Sequence, residues 1–326
     1  MKWILLTPVL LMSVYLAFYG SYYIASPEEE RGREILQEFN IPYPAVIAHR
    51  GASIVAPEST RSAYEIARDL GADYLEADLR QTADGRIVVI HDSTLERTSN
   101  VAEVFPDRVN HEIGTFTLEE LQQLDYGAWH SPEYAGQGIL TLEDLIAIAR
   151  GGDHTPGLIL ETKDSYKYPD LEERIVAILR DTGWLEQYGT DQPGTGSFER
   201  TIFFSFSLNS LRRFKELAPD KPRLLLVRDN TLSRRRWQTW LALARPTAHG
   251  LGPKGFTAWP WHIAAAHREG MFVFPYTLNY LWQIQVLARF QASGFITDRP
   301  EIVLAFLNGI NSTIDVLPKM HETGPE

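Results

Sequence analysis

The 326-residue sequence predicts an α/β protein, a (β/α)8 TIM barrel preceded by one N-terminal transmembrane helix. Three features lead there. An uncharged apolar run opens the chain, eight short β-prone runs follow, and helical patterns separate most of them. Strand–helix alternation favours βαβ units with parallel strands, and eight of them favour closure into a barrel over an open sheet. No glycine-rich dinucleotide fingerprint follows the first strand, which further weakens the open alternative.

Residues 3–25 include no charge across 23 positions. A helix there would reach roughly 34 Å, enough for a hydrocarbon core of about 30 Å. Trp3 stands at one end and Tyr19, Tyr22 and Tyr23 at the other, as expected at two membrane interfaces. The run is long for a cleavable signal peptide, and no clear small-x-small site follows it. The expected orientation is N-terminus inside, with the folded domain on the non-cytoplasmic side. Ser26, Pro27 and Glu29 supply the N-cap, first-turn proline and N3 acid of a juxtamembrane helix to about Phe39, which Asn40 and Pro42 end. The expected organisation is an anchor over 1–25, a helix and linker over 26–44, a barrel over 45–310 and a tail over 311–326.

The strand candidates are 45–48, 74–79, 157–160, 201–206, 223–227, 247–251, 271–276 and 294–297, with helical patterns at 60–70, 171–180, 208–217, 279–290 and 300–307. Two segments break the rhythm. Asp84-Gly85 lies between 74–80 and the run Ile87-Val88-Val89-Ile90, a hairpin signal. Residues 93–140 then form an irregular excursion with a helical patch at 118–124, before a helix at 142–149.

With 42 acidic against 31 basic residues the net charge is −11, which argues against nucleic acid as a partner. Cysteine is absent, excluding disulfides, thiolate metal sites and Cys nucleophiles. The composition, 44% hydrophobic and 22% charged, is that of a globular chain. No protein partner can be inferred.

If Asp84 and Gly85 occupy a two-residue loop, Asp78 lies opposite His91, and Glu76 joins them because strand side chains repeat every two residues. A one-residue slip would turn His91 away. Adjacent carboxylates repel unless a cation lies between them, and hard oxygen ligands point to Mg²⁺ or Ca²⁺. Glu161, ending the run Gly157-Leu158-Ile159-Leu160, fits as a third ligand, and Lys163 two residues later could meet an anionic substrate. A solvated strand face is the bland account of Glu76 and Asp78 alone; Glu161 and His91 weaken it. His49, Arg50 and Gly51 close the first strand, offering a proton carrier, a fork for phosphate and room for close backbone approach. Glu58 could buttress Arg50 or reach a substrate hydroxyl.

These stretches together resemble the glycerophosphodiester phosphodiesterases. The matching residues are His49-Arg50-Gly51, Pro57-Glu58-Ser59-Thr60, Glu76-Ala77-Asp78, Thr82-Ala83-Asp84-Gly85, Val89-Ile90-His91-Asp92, Leu95, Arg97-Thr98, Leu160-Glu161-Thr162-Lys163, Ser205-Phe206, Thr277-Leu278-Asn279 and Gly294 through Pro300. Ser59 and Tyr276 stand where the family usually has Asn and Trp. The resemblance implies a barrel in which Glu76, Asp78 and Glu161 hold one divalent cation. His49 and His91 would act as general acid and base, and Arg50 and Lys163 would grip the phosphate. The implied reaction is metal-dependent hydrolysis of glycerophosphodiesters to glycerol 3-phosphate and an alcohol. A lysophospholipase D acting on lysophospholipids at the membrane is the near variant, and a catalytically silent, membrane-tethered binding barrel the distant one. His262 and His267, five apart without acids, read as structural. Arg234-Arg235-Arg236-Trp237 with Trp240, and Trp259-Pro260-Trp261, read as helix-surface packing before lipid contact.

Overall fold

The computed structural model describes residues 29–185, 198–228 and 234–309. The expected transmembrane helix, its N-cap and the tail lie outside the described residues. Among the described residues no helix is long and apolar enough to cross a membrane.

Eight parallel strands build the barrel: β1 (Ala45–His49), β2 (Tyr74–Gln81), β5 (Gly157–Thr162), β6 (Thr201–Ser205), β7 (Arg223–Val227), β8 (Gly250–Pro253), β9 (Phe272–Val273) and β10 (Gly294–Thr297). They pair in that order, and β10 pairs with β1. Closure between β9 and β10 is carried by Ser293 N–H to Val273 O at 3.0 Å and Ile296 N–H to Pro275 O at 3.2 Å. Each of the eight expected strands is present, with the start of the sixth shifted: Thr247 and Ala248 still donate to Ala244 O, so β8 starts only at Gly250.

The outer layer holds α2 (Arg61–Asp69), α5 (Leu142–Arg150), α6 (Leu171–Asp181), α7 (Leu208–Leu217), α8 (Arg234–Ala244), α9 (Pro260–Arg268), α10 (Leu281–Arg289) and α11 (Pro300–Leu307). Thr60 caps α2, Thr141 caps α5 in a reciprocal box with Asp144, and Ser207 caps α7. Strands buried on both faces read as continuous apolar runs because helices cover the outside and side chains fill the inside. Inside the barrel, Ile47, Tyr74, Ile159, Ile202, Leu224 and Phe272 share one core.

Helix α1 (Glu29–Glu38) closes the N-terminal end of that barrel. Ile35, Leu36 and Ile41 are buried in the interior core, Glu199 N–H donates to Asn40 O at 2.9 Å, and Phe39 meets Phe272 at 6.2 Å. Asn40 ends the helix in the left-handed region (φ 53), with Ile41 N–H reaching Leu36 O at 2.8 Å. The expected juxtamembrane helix is thus a plug of the barrel.

The hairpin corrects the sequence reading. Strand β3 (Ile87–Val89) pairs Leu79 with Val89 and Gln81 with Ile87, so the register is slipped by one from the two-residue loop. Ala83, Asp84 and Gly85 form a three-residue loop, with Gly85 N–H to Thr82 O at 3.0 Å and Gly85 at φ 78. Ile90, not His91, therefore lies opposite Asp78, donating to its carbonyl at 2.9 Å. After β3 the chain runs through α3 (Val101–Val104) and α4 (Leu118–Leu121) around a separate core of Val88, Ile90, Leu95, Ile113 and Phe116, then returns through β4 (Leu140–Thr141).

Candidate active site

The ladder brings the acids together. His49 pairs with Glu76, and Asp78 with Glu161; Glu76 and Asp78, two apart on β2, share the inward face. One carboxylate oxygen from each of Glu76, Asp78 and Glu161 lies within 4.8 Å of the others, and all three residues are buried. Lys163 continues the ladder, its N–H donating to Leu79 O at 3.0 Å, which puts its side chain on the side of Glu161.

Two cations enter this cluster. Arg50 Nε stands 3.0 Å from Asp78 Oδ2, and Lys163 Nζ 2.9 Å from Asp78 Oδ1 and in contact with Glu161 Oε1. Arg50 also donates its backbone N–H to Glu76 Oε2 at 3.0 Å and Nη1 to Glu58 Oε1 at 2.9 Å. Glu58 is further engaged by Arg97 at 2.8 and 2.7 Å, so it acts here as the buttress of two arginines. The tight turn depends on Gly51 at φ 85, where a Cβ would stand 2.6 Å from the Ala63 carbonyl carbon.

His91 reaches the site although it leaves the ladder register. β3 ends at Val89, and Arg80 holds the His91 carbonyl through Nε and Nη2 at 3.0 and 2.7 Å while pairing with Asp164 at 2.6 Å. His91 Nδ1 lies 2.7 Å from Asp92 Oδ1. His49 Nδ1 lies 2.5 Å from Asp298 Oδ1, and Asp298 also accepts from Ser53 Oγ at 3.1 Å and Asn279 Nδ2 at 2.5 Å. Both imidazoles thus turn Nε2 away from their carboxylate partners.

Electrostatics separates the groups. Burial and the neighbouring Asp78 push Glu76 up to about 8. Glu161 is also raised, by burial and Asp78 against the opposing Lys163. Asp78 is held well below the usual range because Lys163 and Arg50 outweigh its burial. His49 is raised: burial disfavours its charge, but Asp298 and Glu76 prevail. Three buried carboxylates without sulfur or nitrogen ligands suit a hard divalent cation. The orphaned atoms agree, since neither Asp78 oxygen has a hydrogen bond despite its ion pairs.

A cavity of about 110 Å³ is lined by His49, Arg50, Glu76, His91, Glu161 and Lys163 among others. It adjoins a cleft of about 790 Å³, with which it shares His91, Glu161, Lys163, Phe206 and Leu226. All eight residues singled out from the sequence therefore converge.

The glycerophosphoryl diester phosphodiesterase family matches residues 49–302. The chain belongs to this family. A glycerophosphodiester phosphodiesterase from Caldanaerobacter subterraneus subsp. tengcongensis is 32% identical over 260 residues, 79% of this chain and 96% of that protein. One from Bacillus subtilis is 30% identical over 264 residues, 78% of this chain and 84% of that protein. The structure of an Oleispira antarctica phosphodiesterase in complex with the product sn-glycerol-3-phosphate superposes with a TM-score of 0.68 at 25% identity, covering 82% of this chain and 97% of that one. For a glycerophosphodiester phosphodiesterase the partners of the two histidines matter most, and sequence reasoning gave Asp92, Asn279 and Asp298 no role. Barrel closure held the signal for Asp298: Ala48 pairs with Thr297, so the next residue of each strand must be a neighbour. His262 and His267 are buried, His262 stacked on Trp237 at 5.0 Å and His267 bonded to Ser293 at 3.1 Å.

Proposed function

We propose that this chain hydrolyses glycerophosphodiesters to glycerol 3-phosphate and an alcohol, using one Mg²⁺ or Ca²⁺ held by Glu76, Asp78 and Glu161. The observation that carries the reading is the convergence of three buried carboxylates with Arg50, Lys163 and two carboxylate-oriented imidazoles on one small cavity. The bound cation would supply Lewis-acid neutralisation of phosphoryl oxygens. Arg50 and Lys163 add fixed positive charge at the same place, where burial strengthens it. His49, raised and oriented by Asp298, fits the general acid that gives its Nε2 proton to the departing alkoxide. His91 takes the proton of the attacking hydroxyl as its bond to phosphorus forms; where that hydroxyl is water's, glycerol 3-phosphate forms directly, and where it is the glycerol's own, the cyclic phosphate left by the departing alcohol is opened by a water in a second step. Release of glycerol 3-phosphate from glycerophosphocholine by the full-length chain, abolished by EDTA and by His49→Ala or His91→Ala, tests this. A silent binding barrel would keep its ligand binding after either substitution.

Action on lysophospholipids is a second reading, favoured by the width of the 790 Å³ cleft and by Phe206, Leu226 and Trp240 in its wall. We also propose that residues 1–25 anchor the protein, with the barrel on the non-cytoplasmic side. Protease protection in spheroplasts and carbonate extraction of membranes test this; full protection of the barrel, or its extraction by carbonate, would overturn it.

A further inference from the structure

Large apolar side chains left exposed on this protein are not scattered evenly. Among the described residues, Ile54, Trp129, Tyr166, Tyr280, Leu281 and Trp282 are exposed and lie in segments that follow the C-terminal ends of strands, around the catalytic mouth. Ile54, 54% exposed, sits where its N–H donates to Asp298 O at 3.3 Å. Tyr280 and Trp282, 61% and 56% exposed, follow directly on Asn279, which holds Asp298 from the other side. Tyr166 lines the wide cleft, and Trp129 stands 6.0 Å from the Arg97 guanidinium. By contrast Leu243 and Leu307 stand singly at the far ends of α8 and α11. The opposite end of the barrel is closed by α1, which turns Arg31, Glu34 and Glu38 to solvent.

We propose that this rim is a docking surface for aggregated lipid, by which the mouth settles onto a micelle or bilayer and takes lysophospholipids. The inference rests on the lysophospholipid reading above. Three arguments favour lipid over a protein partner. The residues encircle the entrance, so a protein covering them would shut out substrate, whereas a lipid surface would deliver it. Tyrosine and tryptophan, apolar in body with a polar atom at the edge, are the side chains that settle at membrane interfaces. Finally, Arg228 and Lys254, which follow β7 and β8 at the same rim, are exposed and have no carboxylate partner among the described residues, although the chain carries a net charge of −11. Arg228 is stacked on Phe206 at 4.2 Å, in the wall of the cleft. Cations placed there complement lipid phosphates.

The test uses the full-length chain in dilute nonionic detergent. Tyr280→Ser with Trp282→Ser is compared with the unaltered protein on dissolved glycerophosphocholine and on lysophosphatidylcholine in mixed micelles, with Leu307→Ser as a control at the opposite end. The double variant should keep kcat/KM on glycerophosphocholine within twofold and lose about tenfold on the micellar substrate, while the control changes neither. Equal rates on micelles, or an equal loss on both substrates, would overturn the proposal. Quenching of tryptophan fluorescence by brominated phosphatidylcholine reads docking without catalysis. Trp282→Phe should reduce the quenched fraction, and an unchanged fraction would overturn docking. If the unaltered chain cleaves neither substrate, the functional reading falls, and quenching alone still decides docking.

Discussion

Replacing Asp298 by Asn is the most informative single change, because it alters the charge beside His49 while keeping shape. The carboxylate accepts from His49 Nδ1 and Ser53 Oγ on one oxygen and from Asn279 Nδ2 on the other. An amide cannot meet all three demands. With its oxygen towards His49, its NH₂ faces the Asn279 NH₂ group, and Asn279 cannot turn over without losing the Asp298 N–H that its Oδ1 accepts at 3.0 Å. With its NH₂ towards His49, it forces Nδ1 to accept, leaving the proton of the neutral ring on Nε2, the wrong tautomer for reciprocal proton transfer. Either way the charge that outweighed burial is gone, so the His49 pKa falls from its raised position. Loss of orientation and of imidazolium stabilisation is worth about 10²–10⁴ in kcat, or about 3–5 kcal/mol of barrier. The assay is steady-state release of glycerol 3-phosphate from glycerophosphocholine across pH, with cation in excess. In the variant kcat should fall by that factor, and the alkaline limb, where the acid loses its proton, should move to lower pH. A kcat within twofold of the unaltered protein with an unmoved alkaline limb would refute the argument.

Cation binding should release protons, because Glu76, raised to about 8, must ionise to act as a ligand. Apparent affinity should therefore climb as pH rises from about 6 towards about 8 and then level off, which calorimetric titration in buffers of different ionisation enthalpy measures; a flat profile would count against the coordination scheme. Gly51→Ala should cost at least about 2 kcal/mol, since it adds a left-handed penalty to a 2.6 Å clash with Ala63 backbone. Thermal unfolding shows it, and an unchanged Tm would disprove the tight turn. His262, buried and held down to about 4 from 6.5, favours folding most when neutral. Stability should thus be complete above about pH 6.5 and decline as pH falls towards about 4, by on the order of 3 kcal/mol. Denaturant titrations of His262→Gln should lack that portion of the acid sensitivity.

Much of this protein was settled by local chemistry along the chain. Runs such as Gly157-Leu158-Ile159-Leu160 announce buried strands because parallel strands covered on both faces need apolar residues at every position, and the acids and Lys163 at their ends mark the catalytic rim. Spacing by two was enough to place Glu76 and Asp78 on one face. What spacing could not decide was anything set by contact between distant segments. The hairpin loop has three residues, not two, because Asp84 does not take the positive φ that the first position of a two-residue type I′ loop requires; Ala83 joins the loop, and Gly85, at φ 78, still closes it. His91 then enters the site through Arg80, whose partner Asp164 lies 84 positions away. Closure of β10 on β1 sets Asp298 beside His49 across 249 positions. The N-terminal helix likewise read as a juxtamembrane helix, and what it packs against was set by the ring: Ile35, Leu36 and Ile41 fill one end of the barrel. A sequence fixes which residues seek burial and which offer charge; which burial site and which opposite charge they find depends on the closure of the ring, a property of all eight strands together.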